Sequence, residues 1–161
     1  MKLHILLLLL ANLCFAQKQE KDIWSGEYLA LKYNDSIQKF DTIDTLIIKK
    51  SEDIKAKDVA GKYESDLKRW KINSKSNLKD DPIILRRFLF DLKDSNNEYE
   101  EFNWTKLHQN NEMNCADAGH FFICQSKNKG EISIGDEKFI SRTGIFGIQL
   151  HYGLFELEKI N

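Results

Sequence analysis

The sequence predicts a mainly β (α+β) fold, a small antiparallel β-barrel or curved sheet of about seven or eight strands with one helix. Three observations support this class. Short segments of alternating apolar and polar residues recur along the chain, clusters of glycine, asparagine and aspartate separate them, and aromatic residues fall on their predicted inward faces. One window has the three- and four-residue spacing of an amphipathic helix.

The N-terminal half contains two predicted strands followed by the helix. Trp24–Tyr33 alternates with a two-residue period, and Thr42–Lys49 is rich in β-branched residues. The window Lys55–Trp70 places its apolar residues on one helical face, although Gly61 weakens that helix by about 1 kcal/mol relative to alanine. This face consists of Ala56, Val59, Ala60, Tyr63, Leu67 and Trp70.

The second half is predicted to contain strands. Ile83–Leu92 is strongly apolar, and His120–Gln125 is a short apolar run of the kind that forms a buried strand. In Tyr99–Leu107, Phe102 and Trp104 point to one side and their polar neighbours to the other, which predicts a half-buried strand.

Two glycines mark changes of direction near the C-terminus. Gly135 and Asp136 separate two short strands as a two-residue hairpin turn, which places Ile132 opposite Phe139. Before Gly153 the apolar positions are even-numbered, and after it they are odd-numbered. Because a strand keeps a strict two-residue period, this change of phase predicts a bulge or a turn at Gly153.

Residues 1–16 are predicted to be a signal peptide, which leaves residues 17–161 as a single exported β-rich domain. A lysine precedes an apolar run too short to span a bilayer, and small residues stand where signal peptidase recognises its substrates. Cleavage after Ala16 would send the domain to the periplasm or outside the cell. Lipidation of Cys14 is the alternative, but Leu13 stands where a lipoprotein signal normally has glycine or alanine.

The charge of the chain is nearly balanced. It has 24 basic and 25 acidic residues, and removal of Lys2 with the leader leaves 23 against 25, a formal charge of −2. The basic clusters, such as Arg86-Arg87, are interleaved with acidic residues, so a nucleic-acid partner is not expected. No later apolar run is long enough to cross a membrane, and the sequence has no cofactor fingerprint, so we expect no cofactor.

The stretch Asn114–Cys124 combines two cysteines with a histidine and a carboxylate. In an oxidising compartment a pair of cysteines forms a disulfide by default, so we expect a bridge between Cys115 and Cys124. Closing a loop of about ten residues would stabilise the fold by about 2.7 kcal/mol in the chain-entropy estimate. Two free thiols and a metal site are the alternatives.

The disulfide sets a geometric requirement. If Ala116–Gly119 formed a tight turn, Cys115 would face His120, and Cys124 would lie about 13 Å farther along the strands. Bridged cysteines need Cα atoms within about 7 Å of each other. The disulfide therefore predicts a wide loop over Asn114–Gly119.

The same stretch offers a catalytic alternative, a hydrolase that uses Cys115 or the pair His120 and Asp117. In the tight-turn arrangement His120 would be the base for a Cys115 nucleophile, provided that no disulfide forms. With Cys124, these residues lack the spacing of familiar zinc ligands. The sequence has no GxSxG turn and no HExxH helix. We therefore expect no catalytic residues and no metal.

Both ends of the domain carry a family resemblance. WSGEY at residues 24–28 and YGLFELEKI at residues 152–160 resemble the first and last strands of small exported lipocalin-like barrel proteins of bacteria. The resemblance covers these two strands, and it departs from the lipocalin signature because Trp24 precedes the glycine. It implies a ligand cavity or a protein-binding mouth lined by Trp24, Trp104 and Tyr152.

The predicted function is an exported, non-enzymatic binding protein of the cell envelope that engages a small apolar ligand or a protein partner. An inhibitor or immunity protein against a secreted toxin or hydrolase is the alternative. Its binding surface would be the mixed-charge loops predicted at Asn34–Asp41, Asn73–Asp81 and Asn110–Gly119.

Overall fold

A closed antiparallel barrel of eight strands forms the body of the computed structural model, which describes residues 22–51, 69–90, 97–149 and 153–161. The predicted fold class is confirmed. Around the barrel the strand order is β1-β10-β9-β6-β5-β4-β3-β2, and β7 and β8 form a separate two-stranded sheet. The elements are β1 (Gly26–Asn34), β2 (Lys39–Lys50), β3 (Trp70–Ser74), β4 (Ile83–Arg87), α1 (Glu98–Glu101), α2 (Thr105–Gln109), β5 (Met113–Asp117), β6 (Phe121–Ser126), β7 (Gly130–Ile134), β8 (Glu137–Ser141), β9 (Ile145–Gln149) and β10 (Gly153–Lys159).

The up-and-down order makes the two ends of the barrel different. At one end, which we call the open end, β1, β3, β5 and β9 finish and their successors begin after the short connections 35–38, 75–82, 118–120 and 150–152. At the other end, the closed end, the long connections 51–69, 88–112 and 127–144 leave and rejoin the barrel. Short turns leave an opening uncovered, whereas long connections supply residues that can cover it.

The inner core consists of the buried side chains that point into the barrel. Alternate residues of each strand face inward, and the registers bring these positions together around the ring, as in the pairs Tyr28–Leu46 and Trp70–Leu85. The inner core comprises Tyr28, Ala30, Ile48, Trp70, Ile72, Leu85, Ala116, Phe121, Ile123 and Leu157.

The outer core lies on the opposite face of the same wall. Cys124 follows Ile123 in β6 and points outward, yet both residues are fully buried, because α1, α2 and the β7–β8 hairpin cover this part of the barrel. Trp104 Nε1 donates a hydrogen bond to the carbonyl of Ser133 (2.9 Å) and so joins the helices to the hairpin. The outer core comprises Phe88, Tyr99, Trp104, Met113, Cys115, Phe122, Cys124, Ile132, Phe146 and Ile148.

The half-buried strand predicted over Tyr99–Leu107 is wrong, because this segment forms α1 and α2. The Asn97 side chain accepts a hydrogen bond from the backbone N–H of Glu100 and caps α1. Asn103 has a positive φ of 59° and separates the two helices. Phe102 and Trp104 do lie together, with their rings stacked 4.9 Å apart, but they do so across a helix break.

Other predicted elements agree with the structure in part. The predicted strands Trp24–Tyr33 and Thr42–Lys49 correspond to β1 and β2, and β7 and β8 pair Ile132 with Phe139 as expected. The predicted strand Ile83–Leu92 is shorter, since β4 ends at Arg87. The signal peptide, most of the predicted helix and residues 91–92 lie outside the described residues. Trp70, which was predicted to be the last residue of the helix, is the first residue of β3.

The change of phase at Gly153 corresponds to a reversal of the chain. β9 ends at Gln149, and β10 begins at Gly153 and runs back antiparallel, with these two residues as partners. Gly153 has a φ of 81°, a left-handed conformation that glycine adopts without strain.

Candidate functional site

A cavity of about 410 Å³ lies in the open end of the barrel. Its walls are mostly apolar side chains from six strands, and a few polar groups sit around its mouth. The apolar lining consists of Ala30, Ile43, Leu46, Ile72, Ile83, Phe121, Leu154 and Phe155, and the polar lining of Lys32, Asp44, Ser74 and Gln149. Apolar walls with a few polar groups at one end are typical of small-molecule sites in barrel mouths.

One wall of the cavity depends on Gly147. The rings of Phe121 and Phe155 stack with centroids 5.8 Å apart and an interplanar angle of 9°. A Cβ atom on Gly147 would lie 2.4 Å from Phe155 Cζ and 3.1 Å from Phe121 Cε2, so only glycine lets the two rings lie against the β9 backbone. The space beside Gly147 is therefore occupied by two aromatic side chains of the protein itself.

Asp44 places a negative charge at the mouth. It accepts hydrogen bonds from the backbone N–H groups of Thr45 (2.7 Å) and Ser76 (3.3 Å). Burial by itself would raise the pKa of Asp44, but the hydrogen bonds from Ser74, Thr45 and Ser76 outweigh it and lower the pKa below its usual value. The carboxylate is therefore ionised at neutral pH, and it ties β2 to the start of the 75–82 connection.

The β1–β2 hairpin extends beyond the rest of the barrel. β1 pairs with β10 only as far as Leu31, and β2 pairs with β3 only from Leu46 onward, whereas β1 and β2 continue to pair as far as Asn34 and Lys39. A register shift between Ala30 and Leu31 marks the base of this projection. Its inner side contributes Lys32 and Ile43 to the cavity, so the projecting hairpin forms part of the mouth.

The closed end is sealed by the segment that precedes β1. Trp24 is buried there and packs edge-on against Trp70 with centroids 6.2 Å apart. Trp70 Nε1 donates to Asp22 (3.0 Å), Tyr28 Oη donates to the Trp24 carbonyl (2.7 Å), and a Gln125 amide donates to the Ile23 carbonyl (2.8 Å). Burial, with the nearby charge of Asp22, raises the pKa of Tyr28 to about 12, so this hydroxyl stays protonated as a donor.

A second, more polar cavity of about 260 Å³ lies outside this seal, beside α2. His108 borders it, stacks on Tyr99 with centroids 3.9 Å apart and has its Nδ1 3.1 Å from the Met113 carbonyl. Burial and the charge of Arg87 lower the pKa of His108, so the ring is neutral at neutral pH. Lys50, Arg87 and Asp22 also line the cavity, so charges of both signs meet there.

Of the three aromatic residues predicted to line a ligand site, the two that the structure describes lie elsewhere. Trp24 seals the closed end, Trp104 is in the outer core, and Tyr152 lies outside the described residues. Neither Trp24 nor Trp104 borders the open-end cavity. Its described lining consists of aliphatic side chains, two phenylalanines and four polar residues, which the sequence analysis did not single out.

The predicted disulfide is present. Cys115 and Cys124 are bridged and directly opposite each other in β5 and β6, with Cα atoms 4.1 Å apart. The predicted wide loop over Asn114–Gly119 is wrong, because the tight turn lies two residues later, around Gly119, and β5 continues through Asp117. Half of the loop predicted at Asn110–Gly119 likewise belongs to strand β5. Both half-cystines point into the outer core, away from the open-end cavity.

The groups named for a hydrolase lie in and around the β5–β6 hairpin. The Cys115 thiol is consumed by the disulfide. Asp117 Oδ2 forms an ion pair with Arg86 (2.8 Å), and its Oδ1 accepts from the Gly119 N–H (2.7 Å), while Arg86 also pairs with Glu98 of α1. His120 is exposed in the turn. Within the described ranges no three histidine, cysteine or acidic residues converge as metal ligands.

The fold and the site define a class: an eight-stranded up-and-down barrel whose interior is packed at one end and open and apolar at the other. Comparisons with protein-family models, curated proteins and solved structures give no match for the chain. Among the helices that the structure describes, none has the length and apolar character needed to cross a membrane.

Proposed function

We propose that the chain is an exported, non-enzymatic binding protein of the cell envelope that holds a small apolar ligand in the open end of its barrel. The cavity of about 410 Å³ carries this proposal, because its size and apolar lining match those of ligand sites. Eight strands enclose a lumen wide enough either to be filled by side chains or to hold one small ligand. This barrel is filled at one end and open at the other.

The architecture supports the lipocalin-like resemblance of the two terminal strands. Closed up-and-down barrels of eight strands are the architecture of lipocalins, which hold their ligands in the lumen. In this chain β1 and β10, the strands that carry the resemblance, pair with each other and close the ring. Both contribute residues to the cavity, Ala30 and Lys32 from β1 and Phe155 from β10.

The compartment is proposed on two grounds. The leader sequence of residues 1–16 predicts export, and the buried disulfide is of the kind that persists in oxidising compartments. Envelope proteins that carry apolar molecules through water need an enclosed apolar site, and the open-end cavity would provide it.

A pair of tryptophan substitutions on one strand tests the site. Leu46 points into the cavity, and Ile47, the next residue of β2, points to the outside of the barrel. Leu46→Trp should fill the cavity and weaken the binding of an apolar fluorescent probe, N-phenyl-1-naphthylamine, at least tenfold. Ile47→Trp should bind the probe like the unmodified protein.

Both variants need the same check of folding, a thermal unfolding curve followed by circular dichroism. The proposal is wrong if no apolar probe binds the unmodified protein. It is also wrong if the folded Leu46→Trp and Ile47→Trp variants bind the probe equally well, since the probe would then occupy another place. Organic extraction of the protein purified from its own host, followed by mass spectrometry, would identify the natural occupant.

A further inference from the structure

The apolar surface of the molecule is concentrated at the open end. Among the described residues, nine large apolar side chains are exposed, and five of them surround this one mouth. Ile37 (54% exposed) is at the tip of the projecting β1–β2 hairpin, and Leu78 (64%) is in the connection between β3 and β4. The other three are Tyr33, Ile43 and Ile83.

Two of these five side chains belong to the cavity itself. Ile43 and Ile83 line its mouth and are also about half exposed to solvent, at 53% and 50%. Ile37 and Leu78 stand beyond them on the two neighbouring connections. Exposed apolar side chains at the tips and at the mouth therefore lie at the same end of the barrel. Several exposed apolar side chains at one end of a molecule are typical of a contact surface.

The charges near the tips indicate the kind of partner. The connections 35–38 and 75–82 contain two lysines, Lys75 and Lys79, and three aspartates, Asp35, Asp80 and Asp81. Lys75 forms an ion pair with Glu27 at 2.9 Å. The signs are mixed, so no strong field of one sign surrounds the tips. Such a surface suits a zwitterionic lipid head-group layer, into which the aliphatic tips insert, and it gives no electrostatic preference for an anionic one.

We propose that the open end docks on the surface of a lipid bilayer through Ile37 and Leu78 and takes up its apolar ligand directly from the membrane. The inference rests on the proposed function, because it assigns the source of the ligand in the open-end cavity. Direct uptake would let a sparingly water-soluble molecule move from bilayer to lumen along the apolar side chains of the mouth without crossing bulk water.

Two matched double variants test the docking surface. The first, Ile37→Asp with Leu78→Asp, places a charge on each tip. The control, Ile140→Asp with Ile160→Asp, adds the same charge at two other exposed isoleucines, on β8 and after β10, which are 68% and 44% exposed. Sedimentation with phosphatidylcholine vesicles measures membrane binding, and stopped-flow fluorescence measures transfer of N-phenyl-1-naphthylamine from the vesicles to the protein.

The unmodified protein and the control should bind vesicles alike, and their transfer rate should rise with vesicle concentration. The tip variant should lose vesicle binding by at least about tenfold, since burying even part of two aliphatic side chains contributes that much. Its affinity for the probe added from aqueous solution should be unchanged. That last measurement separates the two proposals, because absence of probe binding would defeat the proposed function itself.

Three results would overturn the docking proposal while leaving the cavity as a ligand site. The unmodified protein does not bind vesicles, or the tip variant and the control bind them equally. Alternatively, the unmodified protein is a dimer by analytical ultracentrifugation and only the tip variant is a monomer, which would assign the apolar tips to a second copy of the chain.

Discussion

The two faces of the barrel wall between β5 and β10 differ in how closely other side chains pack against them. On the outside, two helices and a hairpin bury the outer core so completely that Phe146 and Cys124 have no exposed surface. On the inside, at the open end, aliphatic side chains and Phe155 border a cavity of about 410 Å³. Packing on the outside stabilises the fold, whereas the incomplete packing inside leaves room for a ligand.

The difference is visible within two paired strands. Phe146 of β9 pairs with Glu156 of β10 and points outward into the outer core, whereas Phe155, one residue before Glu156, points inward and borders the cavity. The two phenylalanines thus sample the two faces at nearly the same height on the barrel. Replacing each phenylalanine by alanine and comparing the two variants is therefore the most direct test of this difference between the faces.

Phe146→Ala should cause the largest loss of stability, about 3–5 kcal/mol, because it leaves a cavity in a close-packed cluster. Phe155→Ala should cost only about 1–2 kcal/mol, because its ring is half-buried and already borders empty space. Urea unfolding followed by tryptophan fluorescence measures both values. In addition, Phe155→Ala should change the affinity for N-phenyl-1-naphthylamine, whereas the folded fraction of Phe146→Ala should bind this probe with the affinity of the unmodified protein. A larger loss from Phe155→Ala would show that the inside is the better packed face.

The disulfide sharpens the comparison, because it belongs entirely to the outer core. Replacing Cys115 and Cys124 together by alanine should lower the free energy of unfolding by about 2.7 kcal/mol, the loop-closure contribution of the cross-link. The lumen is on the other side of the strands, so the affinity for the probe should stay the same. The same urea and probe titrations check both statements. A folded variant without probe binding would mean that the outer core shapes the cavity after all.

Much of the architecture was predictable from the sequence, because strands with one or two buried faces impose a regular pattern. The two-residue period of β1, the β-branched residues of β2 and the turn at Gly135 are local features, and they predicted the elements correctly. The outer core was not predictable in the same way. The alternation of Phe102 and Trp104 resembled a strand, but the cap at Asn97 and the left-handed Asn103 make two helical turns of this segment.

The candidate site was harder to predict than the fold. The family resemblance suggested large aromatic residues as lining positions, yet Trp24 and Trp104 fill the closed end and the outer core. A cavity arises where side chains fail to fill space, and no single residue signals that. The available signal was positional: inward-facing residues at strand ends next to short connections, such as Ile83 and Phe121, border the open end.

The smallest expected effect concerns His108 at the edge of the outer core. Its lowered pKa means that the unfolded chain binds a proton more readily than the folded one, so the His108 contribution to stability is present above pH 6.5 and is lost as the pH falls through the native pKa. Glu98 acts oppositely, because burial raises its pKa and its contribution to stability decreases as the pH rises from the unfolded pKa toward the native one.

His108→Phe keeps a ring against Tyr99 but cannot titrate. Urea unfolding at pH 7.5, 6.5 and 5.5 should show the unmodified protein losing more stability than the variant between the first and last values. Because the ring is only half-buried and solvent screens its charge, the difference should be small. Equal pH dependence in both proteins would mean that the outer core does not resist protonation of His108. None of the described residues that line the open-end cavity is a histidine, so replacing His108 should leave probe binding unchanged.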